Sequence, residues 1–179
     1  YFSLTDQNGA FTLANISEIG KYKKAFGISI LYAAAATLIT LVLAYPMAYF
    51  MTKLNISSQR MLFMIVMIPM WMNFLIRTYS WITILANTGL INTFLSKLGL
   101  GPLRLINTPG AVILGMVYDF IPYMILPLYS VMSKLDKSLL EAAEDLGSDA
   151  FTKFRRVLFP LSKPGMISGI TMVFVPSVS

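Results

Sequence analysis

The 179-residue sequence contains neither cysteine nor histidine. Without them the chain can form no disulfide, has no thiol nucleophile, and lacks both the usual zinc ligands and the commonest general acid–base side chain. Charged residues are also scarce, at 12% of the chain, which is about half the share of an ordinary soluble domain. A membrane enzyme is therefore a weak alternative, because few side chains remain to perform covalent chemistry.

Hydrophobic residues are abundant instead. They make up 56% of the chain, and the mean hydropathy is +0.70. A soluble domain of this size cannot bury so much apolar surface, so the composition indicates a membrane protein. The net charge of +6 comes from basic residues placed between apolar segments. That pattern favours membrane topology and contacts with lipid headgroups over nucleic-acid binding.

Four apolar stretches are candidates for spans, since a helix needs about 20 apolar residues to cross the hydrocarbon core. They lie at 25–52, 61–85, 109–132 and 164–179. The fold class we predict is an all-α polytopic membrane protein, with three full spans and the beginning of a fourth. We expect residues 1–24 to be an external segment, 25–179 to be the membrane domain, and the chain to be a piece of a longer protein.

The loops between the spans differ in charge. Six basic residues lie within 133–163, whereas two lie within 87–110. The second of these loops also contains a predicted helix near 90–98, which is too short to span and is expected to lie at the membrane interface. The positive-inside rule therefore predicts that 133–163 is cytoplasmic. The three lysines at positions 21, 23 and 24 count against this orientation, because they would lie outside.

A compact polar insert at 138–158 interrupts the apolar sequence. Ser138 and Glu141 match the S-x-x-E capping box that begins a helix, and Gly147 is placed to end that helix in a left-handed conformation. A second helix follows, capped by Ser148 or Asp149, and Pro160 is expected to end it. The insert thus predicts a helix–glycine–helix elbow, which either docks on a partner surface or packs against the protein's own helices.

The elbow resembles a cytoplasmic motif of type I ABC importer permeases: EAA, three residues, Gly, nine residues, then I-x-L-P. The matching residues are Glu141, Ala142, Ala143, Gly147 and Pro160. Val157 and Phe159 replace the isoleucine and leucine of the motif and remain apolar. The resemblance implies that the elbow is a coupling helix that docks on an ATP-hydrolysing subunit. Glu141 would make a polar contact there, and Gly147 would allow the bend.

Three longer stretches, 71–81, 105–130 and 134–166, resemble the permeases of bacterial spermidine/putrescine importers. The resemblance implies a multi-pass inner-membrane subunit that moves polyamines by alternating access. Its implied partners are an ATP-binding subunit, a second permease, an extracytoplasmic substrate-binding protein and membrane lipids. No cofactor is expected in this chain, since it contains no P-loop motif and ATP would bind to the partner subunit.

Two alternatives remain open. The first is an ABC permease for another small solute such as ferric iron, thiamine or sulfate, since the EAA motif is common to those importers. The second is an ion-coupled secondary transporter without an ATPase.

Asp119 is the one acidic residue inside a predicted span, and it would lie about 15 Å into the membrane. A carboxylate there is costly unless it faces water or a partner, so it either lines a path for a cationic substrate or pairs with another helix. Tyr118 and Tyr123 either offer aromatic faces to the same path or serve packing. Arg77 would repel a polyamine, so we expect it to snorkel to the outer interface or contact the binding protein.

Overall fold

The structure, a computed structural model, describes residues 14–100, 103–145 and 147–178. All of the regular secondary structure in these residues is helical, which confirms the all-α fold class. The helices are α1 (Ala14–Lys53), α2 (Ile56–Trp71), α3 (Phe74–Leu85), α4 (Leu90–Lys97), α5 (Pro109–Met132), α6 (Lys137–Asp145), α7 (Ala150–Lys153) and α8 (Phe159–Val178). A π-helical turn, Phe154–Leu158, joins α7 to α8.

Three continuous helical stretches are long and apolar enough to cross a membrane. They are Tyr22–Lys53, Pro109–Met132 and Ala150–Val178. The spans predicted at 25–52 and 109–132 lie within the first two. Since α1 begins at Ala14, it includes the later part of the segment expected to be external; residues 1–13 lie outside the described ranges.

The apolar stretch 61–85, predicted to be one span, is not one helix. It is divided between α2 and α3. The chain bends by 93° between α2 and the stretch that follows it, Phe74–Lys97, which contains α3 and α4. Pro69 stands near the end of α2, and Asn73 begins α3 by accepting a hydrogen bond from the Leu75 amide at 2.8 Å. The proline favours the end of one helix, and the asparagine N-cap favours the start of the next. A count of apolar residues does not detect such a break.

The third helical stretch corrects the prediction for Pro160. This proline does not end the second helix of the elbow, because the helix continues through Pro160 and Pro164 to Val178. In the π turn just before it, the Phe159 amide donates to the Phe154 carbonyl, five residues back. In this wider turn each amide pairs with a carbonyl five residues back instead of four. The helical hydrogen bonds are therefore already shifted where Pro160 lacks an N–H group, and the helix continues through the proline.

Helices α1, α5 and α8 form the core of the described structure. Buried apolar residues of these helices and of the π-helical turn form one cluster: Ala44, Tyr45, Ala48, Met51, Met124, Ile125, Leu128, Met132, Leu158 and Val173. Gly165 and Gly169 of α8 face α5 closely. A Cβ atom at Gly165 would lie 2.9 Å from the Pro127 carbonyl oxygen, and one at Gly169 would lie 2.6 Å from the Met124 sulfur. Glycine at these two positions therefore permits the close helix contact.

The short helix α4 is fixed by the side chain of Asn92, which is 1% exposed. Its amide group donates to the carbonyls of Ala86 and Leu103 at 3.0 and 2.9 Å, and its carbonyl accepts from the Leu103 amide at 2.8 Å. A buried asparagine with its hydrogen bonds satisfied in this way ties the loop after α4 to the loop before it. The helix predicted near 90–98 is confirmed; nothing in the fold tests its interfacial position.

Candidate coupling and transport sites

The elbow bends at Gly147. This residue has a left-handed φ of 76°, and the amides of Gly147 and Ser148 donate to the carbonyls of Glu144 and Ala143 at 2.8 and 3.0 Å. Such closing bonds are typical of a helix that ends at a left-handed glycine. The predicted helix–glycine–helix elbow is therefore confirmed as a local structure; Leu146 lies outside the described residues.

The capping residues of the elbow differ in part from the prediction. Asp136, rather than Ser138, supports the first turn of α6, because its carboxylate accepts a hydrogen bond from the Ser138 amide at 3.0 Å. Asp149 caps α7 and accepts from the Thr152 amide at 3.3 Å. These hydrogen bonds lower the pKa of both carboxyl groups, since they stabilise the charged form.

An ion pair joins the two arms of the elbow. The Lys153 amine of α7 donates to the Glu144 carboxylate of α6. That hydrogen bond, together with the lysine's charge, lowers the pKa of Glu144. The pair lies beside a cavity of about 160 Å³ that Tyr49 and Lys53 of α1 also line, so the elbow lies against the end of α1.

One face of the elbow is packed against the helix bundle. Phe154 contacts the Tyr45 ring edge-on, with centroids 5.5 Å apart, and Leu158 is buried in the core cluster. The Tyr45 hydroxyl in turn forms a buried hydrogen bond of 2.8 Å with the Ser162 hydroxyl of α8. A displacement of the elbow would therefore be passed to both α1 and α8.

The other face of the elbow is exposed. Glu141, Ala142 and Gly147 are exposed, as are the apolar side chains of Leu139 and Phe151, the latter by 66%. Exposed apolar groups framed by charge are typical of a docking surface. The elbow thus packs against the protein's own helices through Phe154 and Leu158, which is one of the alternatives raised by the sequence. Docking of its exposed residues on a partner stays a prediction. Pro160 lies in α8, beyond the bend.

A second candidate site lies where α3 meets α5. The Nε atom of Arg77 and the Oδ1 atom of Asp119 are 2.8 Å apart, and the side chains are 15% and 23% exposed. The contact is ionic, since neither atom has a hydrogen bond of acceptable angle within the described residues. Arg77 is thus paired with α5, and the pairing between helices considered for Asp119 is present. The expected position of Arg77 at the outer interface stays a prediction.

Arg77 makes two further contacts. Its Nη1 atom donates to the carbonyl of Pro69, near the end of α2, at 3.0 Å. Its guanidinium carbon lies 5.9 Å from the centroid of the Phe74 ring. One arginine side chain therefore links α2, α3 and α5 at the 93° bend. No local sequence pattern predicts this link, because Asp119 is distant along the chain.

The two candidate tyrosines differ in their surroundings. Tyr118 is partly buried and contacts Trp81 of α3 edge-on at 5.3 Å. Tyr123 lies 6.1 Å from the ring of Phe120 and is 37% exposed. Tyr123 follows Asp119 by one helical turn, so both side chains lie on the same face of α5. Tyr123 and Asp119 therefore share a face of α5, while Tyr118 supports the packing of α3 on α5.

Comparison with known proteins places the chain in a family. Residues 36–179 match the family described as "Binding-protein-dependent transport system inner membrane component". The spermidine/putrescine transport system permease protein PotB of Haemophilus influenzae is 42% identical over 159 residues, covering 88% of this chain and 56% of that protein. PotB of Escherichia coli K12 is 42% identical over 172 residues, covering 94% of this chain and 62% of that protein.

A further relative has a more general name. The inner membrane ABC transporter permease protein YdcU of Escherichia coli K12 is 35% identical over 156 residues, covering 79% of this chain and 50% of that protein. The chain spans less than two thirds of the length of these relatives. The family match covers the later part of the first membrane-length helix, the whole of the elbow and the whole of the other two membrane-length helices. The chain therefore belongs to the family of binding-protein-dependent transport system inner membrane components, the type I ABC importer permeases of the bacterial inner membrane.

Proposed function

We propose that this chain forms part of the permease subunit of an ATP-driven polyamine importer, which moves spermidine or putrescine by alternating access. The observation that carries this proposal is the 42% identity to two PotB proteins over most of the chain. The carboxylate of Asp119 inside a membrane-length helix also suits a cationic substrate better than an anionic one. An anionic substrate would favour basic residues or helix N-termini at the path.

The proposed complex has four kinds of component besides lipid: this permease, a second permease, an ATP-binding subunit and an extracytoplasmic substrate-binding protein. ATP would be bound and hydrolysed on the separate subunit, since no P-loop motif occurs in this sequence. The exposed face of the elbow supports the presence of such a partner, because apolar side chains such as Phe151 are left uncovered.

The elbow is the proposed coupling element, on the cytoplasmic side of the membrane. Glu141, Ala142 and Ala143 would enter the partner surface, and Gly147 and Pro160 would set the direction of the chain that leaves it. The ion pair between Glu144 and Lys153 links the two arms of the elbow. The contacts of Phe154 and Tyr45 would then transmit its movement to α1 and α8.

The proposed substrate path runs past Asp119 and Tyr123, with Tyr118 beside it on α5. An ammonium group would be stabilised by the carboxylate and by an aromatic face. Both Asp119 and Tyr123 are partly accessible, which supports this role because a sealed group could not meet a substrate.

Transport by the complete reconstituted transporter tests the proposal. Proteoliposomes containing the full-length permeases, the ATPase and the binding protein should take up labelled spermidine or putrescine when ATP is supplied to the ATPase. Uptake of ferric iron, thiamine or sulfate in place of polyamines would identify the importer as one for another solute. Uptake driven by an ion gradient without ATP would identify a secondary transporter.

A further inference from the structure

We propose that Arg77 is a displaceable counter-ion, which neutralises Asp119 while the path is empty and yields it to an ammonium group of the substrate. The inference rests on the proposed function and deepens it. It assigns Arg77 the role of a positioning residue for Asp119, with organic cations that carry primary or secondary ammonium groups as the class of ligand.

Asp119 depends on Arg77 for its charge balance. Within the described part of the chain, its Oδ1 atom has no hydrogen bond and lies 2.8 Å from Arg77 Nε. A carboxylate inside a membrane-length helix is costly when no cation or donor balances it. A substrate ammonium group that arrives as Arg77 leaves would keep one cation at the carboxylate. In this exchange the Asp119 carboxylate would therefore have a cation beside it throughout.

Arg77 depends less on Asp119. Its Nη1 atom donates to the carbonyl of Pro69 at 3.0 Å, and its guanidinium group lies over the ring of Phe74. Pro69 is in the last turn of α2, at the negative end of the helix dipole, and its carbonyl also accepts from the Met72 amide. These contacts can retain the guanidinium group after it releases Asp119. The asymmetry between the two residues is what distinguishes an exchangeable pair from a permanent one.

The pair is partly accessible. The Arg77 and Asp119 side chains are 15% and 23% exposed, while the two facing atoms, Nε and Oδ1, are themselves buried. Tyr123, one turn further along the same face of α5, is more exposed, and its aromatic ring could contact a cation that approaches along that face. An ammonium group could therefore approach along α5 and contact the tyrosine before it reaches Asp119.

Exchange would also change how the helices are held. The ion pair connects the bent α2–α3 unit to α5, and the contact between Trp81 and Tyr118 is a further link between α3 and α5. Release of Arg77 would leave the aromatic contact to hold α3 against α5. Arrival of the substrate would thus loosen the bent unit, which provides a physical route from occupancy of the path to movement of the bundle.

The double variant Arg77→Gln with Asp119→Asn separates a structural pair from an exchangeable one. The two amides can hydrogen-bond to each other, so we expect the reconstituted transporter to assemble normally. We expect ATP-dependent spermidine uptake to fall at least about tenfold, as the loss of a charged contact predicts. Uptake near the wild-type rate would overturn the proposal, and so would a failure to assemble, because each would show that the pair serves structure alone.

The single variant Arg77→Gln tests the displacement itself, with Arg77→Lys as the matched control that keeps the charge. Removal of the competing cation should lower the KM for spermidine by roughly three- to tenfold, whereas the lysine variant should stay near wild type. An unchanged or higher KM in the glutamine variant would contradict the proposal; if this variant does not assemble, the neutral double variant decides. A wild-type transporter that imports no polyamine would instead refute the proposed function, whatever the variants do.

Discussion

Tyr45 of α1 and Ser162 of α8 share a buried hydrogen bond of 2.8 Å between their hydroxyl groups. The same tyrosine ring contacts Phe154 of the elbow. One side chain therefore joins two membrane-length helices to the element that we propose as the coupling surface. Its removal should affect both the stability of the bundle and the transmission of movement.

Tyr45→Phe should lower the free energy of unfolding by about 1 kcal/mol, because it deletes one buried hydrogen bond while keeping the ring contact with Phe154. The measurement is the thermal unfolding of the purified transporter in detergent. Tyr49→Phe is the matched control, one turn further along α1, since no side-chain hydrogen bond of its hydroxyl is described. Equal unfolding temperatures in the two variants would contradict the role given to the Tyr45 hydroxyl.

Gly165→Ala should destabilise the bundle by about 1–3 kcal/mol, the usual cost of an added methyl group in a packed core. Its Cβ atom would lie 2.9 Å from the Pro127 carbonyl oxygen, and a backbone atom cannot move aside as a flexible side chain can. Gly115→Ala in α5 is the control, because its Cβ atom would meet nothing within 4 Å. A Gly165 variant as stable as this control would show that α5 and α8 pack less closely than described.

The pKa of the Glu144 carboxyl group should lie below that of an ordinary glutamate, because Lys153 stabilises the charged form. Since folding depresses this pKa, the stabilisation is present above the ordinary glutamate pKa and is lost as the pH falls through the lower folded value. A carboxyl-carbon NMR titration, assigned by difference from Glu144→Gln, measures it. In Lys153→Met the midpoint should move up toward the ordinary value; an unchanged midpoint would rule out the ion pair as the cause.

Much of the fold follows from local sequence signals. Long apolar stretches identify α1 and α5, and Gly147 identifies the bend of the elbow, because a helix that ends on glycine commonly adopts a left-handed residue there. These features depend on residues close together in sequence. The membrane class and the elbow were therefore predictable without any knowledge of the packing.

The features that were missed depend on neighbours or on small changes in backbone pairing. Pro160 is accommodated by a π turn, which no pattern of residues in the sequence predicted. The break at Asn73 turns one apolar stretch into two helices. The pairing of Arg77 with Asp119 requires α3 to lie against α5, and such a tertiary contact cannot be deduced from the spacing of the two residues in a single sequence.

The central claim is that the exposed face of the elbow carries movement between an ATP-hydrolysing subunit and the membrane helices. The most direct test is the number of spermidine molecules imported per ATP hydrolysed by the reconstituted transporter with Glu141→Lys. Asp145→Lys is the control, since it makes the same charge change one helical turn away, at a position whose residue type the motif does not specify. We expect ATP hydrolysis to continue while uptake by the Glu141 variant falls at least about tenfold, as the loss of an interfacial charged contact predicts. Wild-type uptake per ATP in the Glu141 variant would contradict the account.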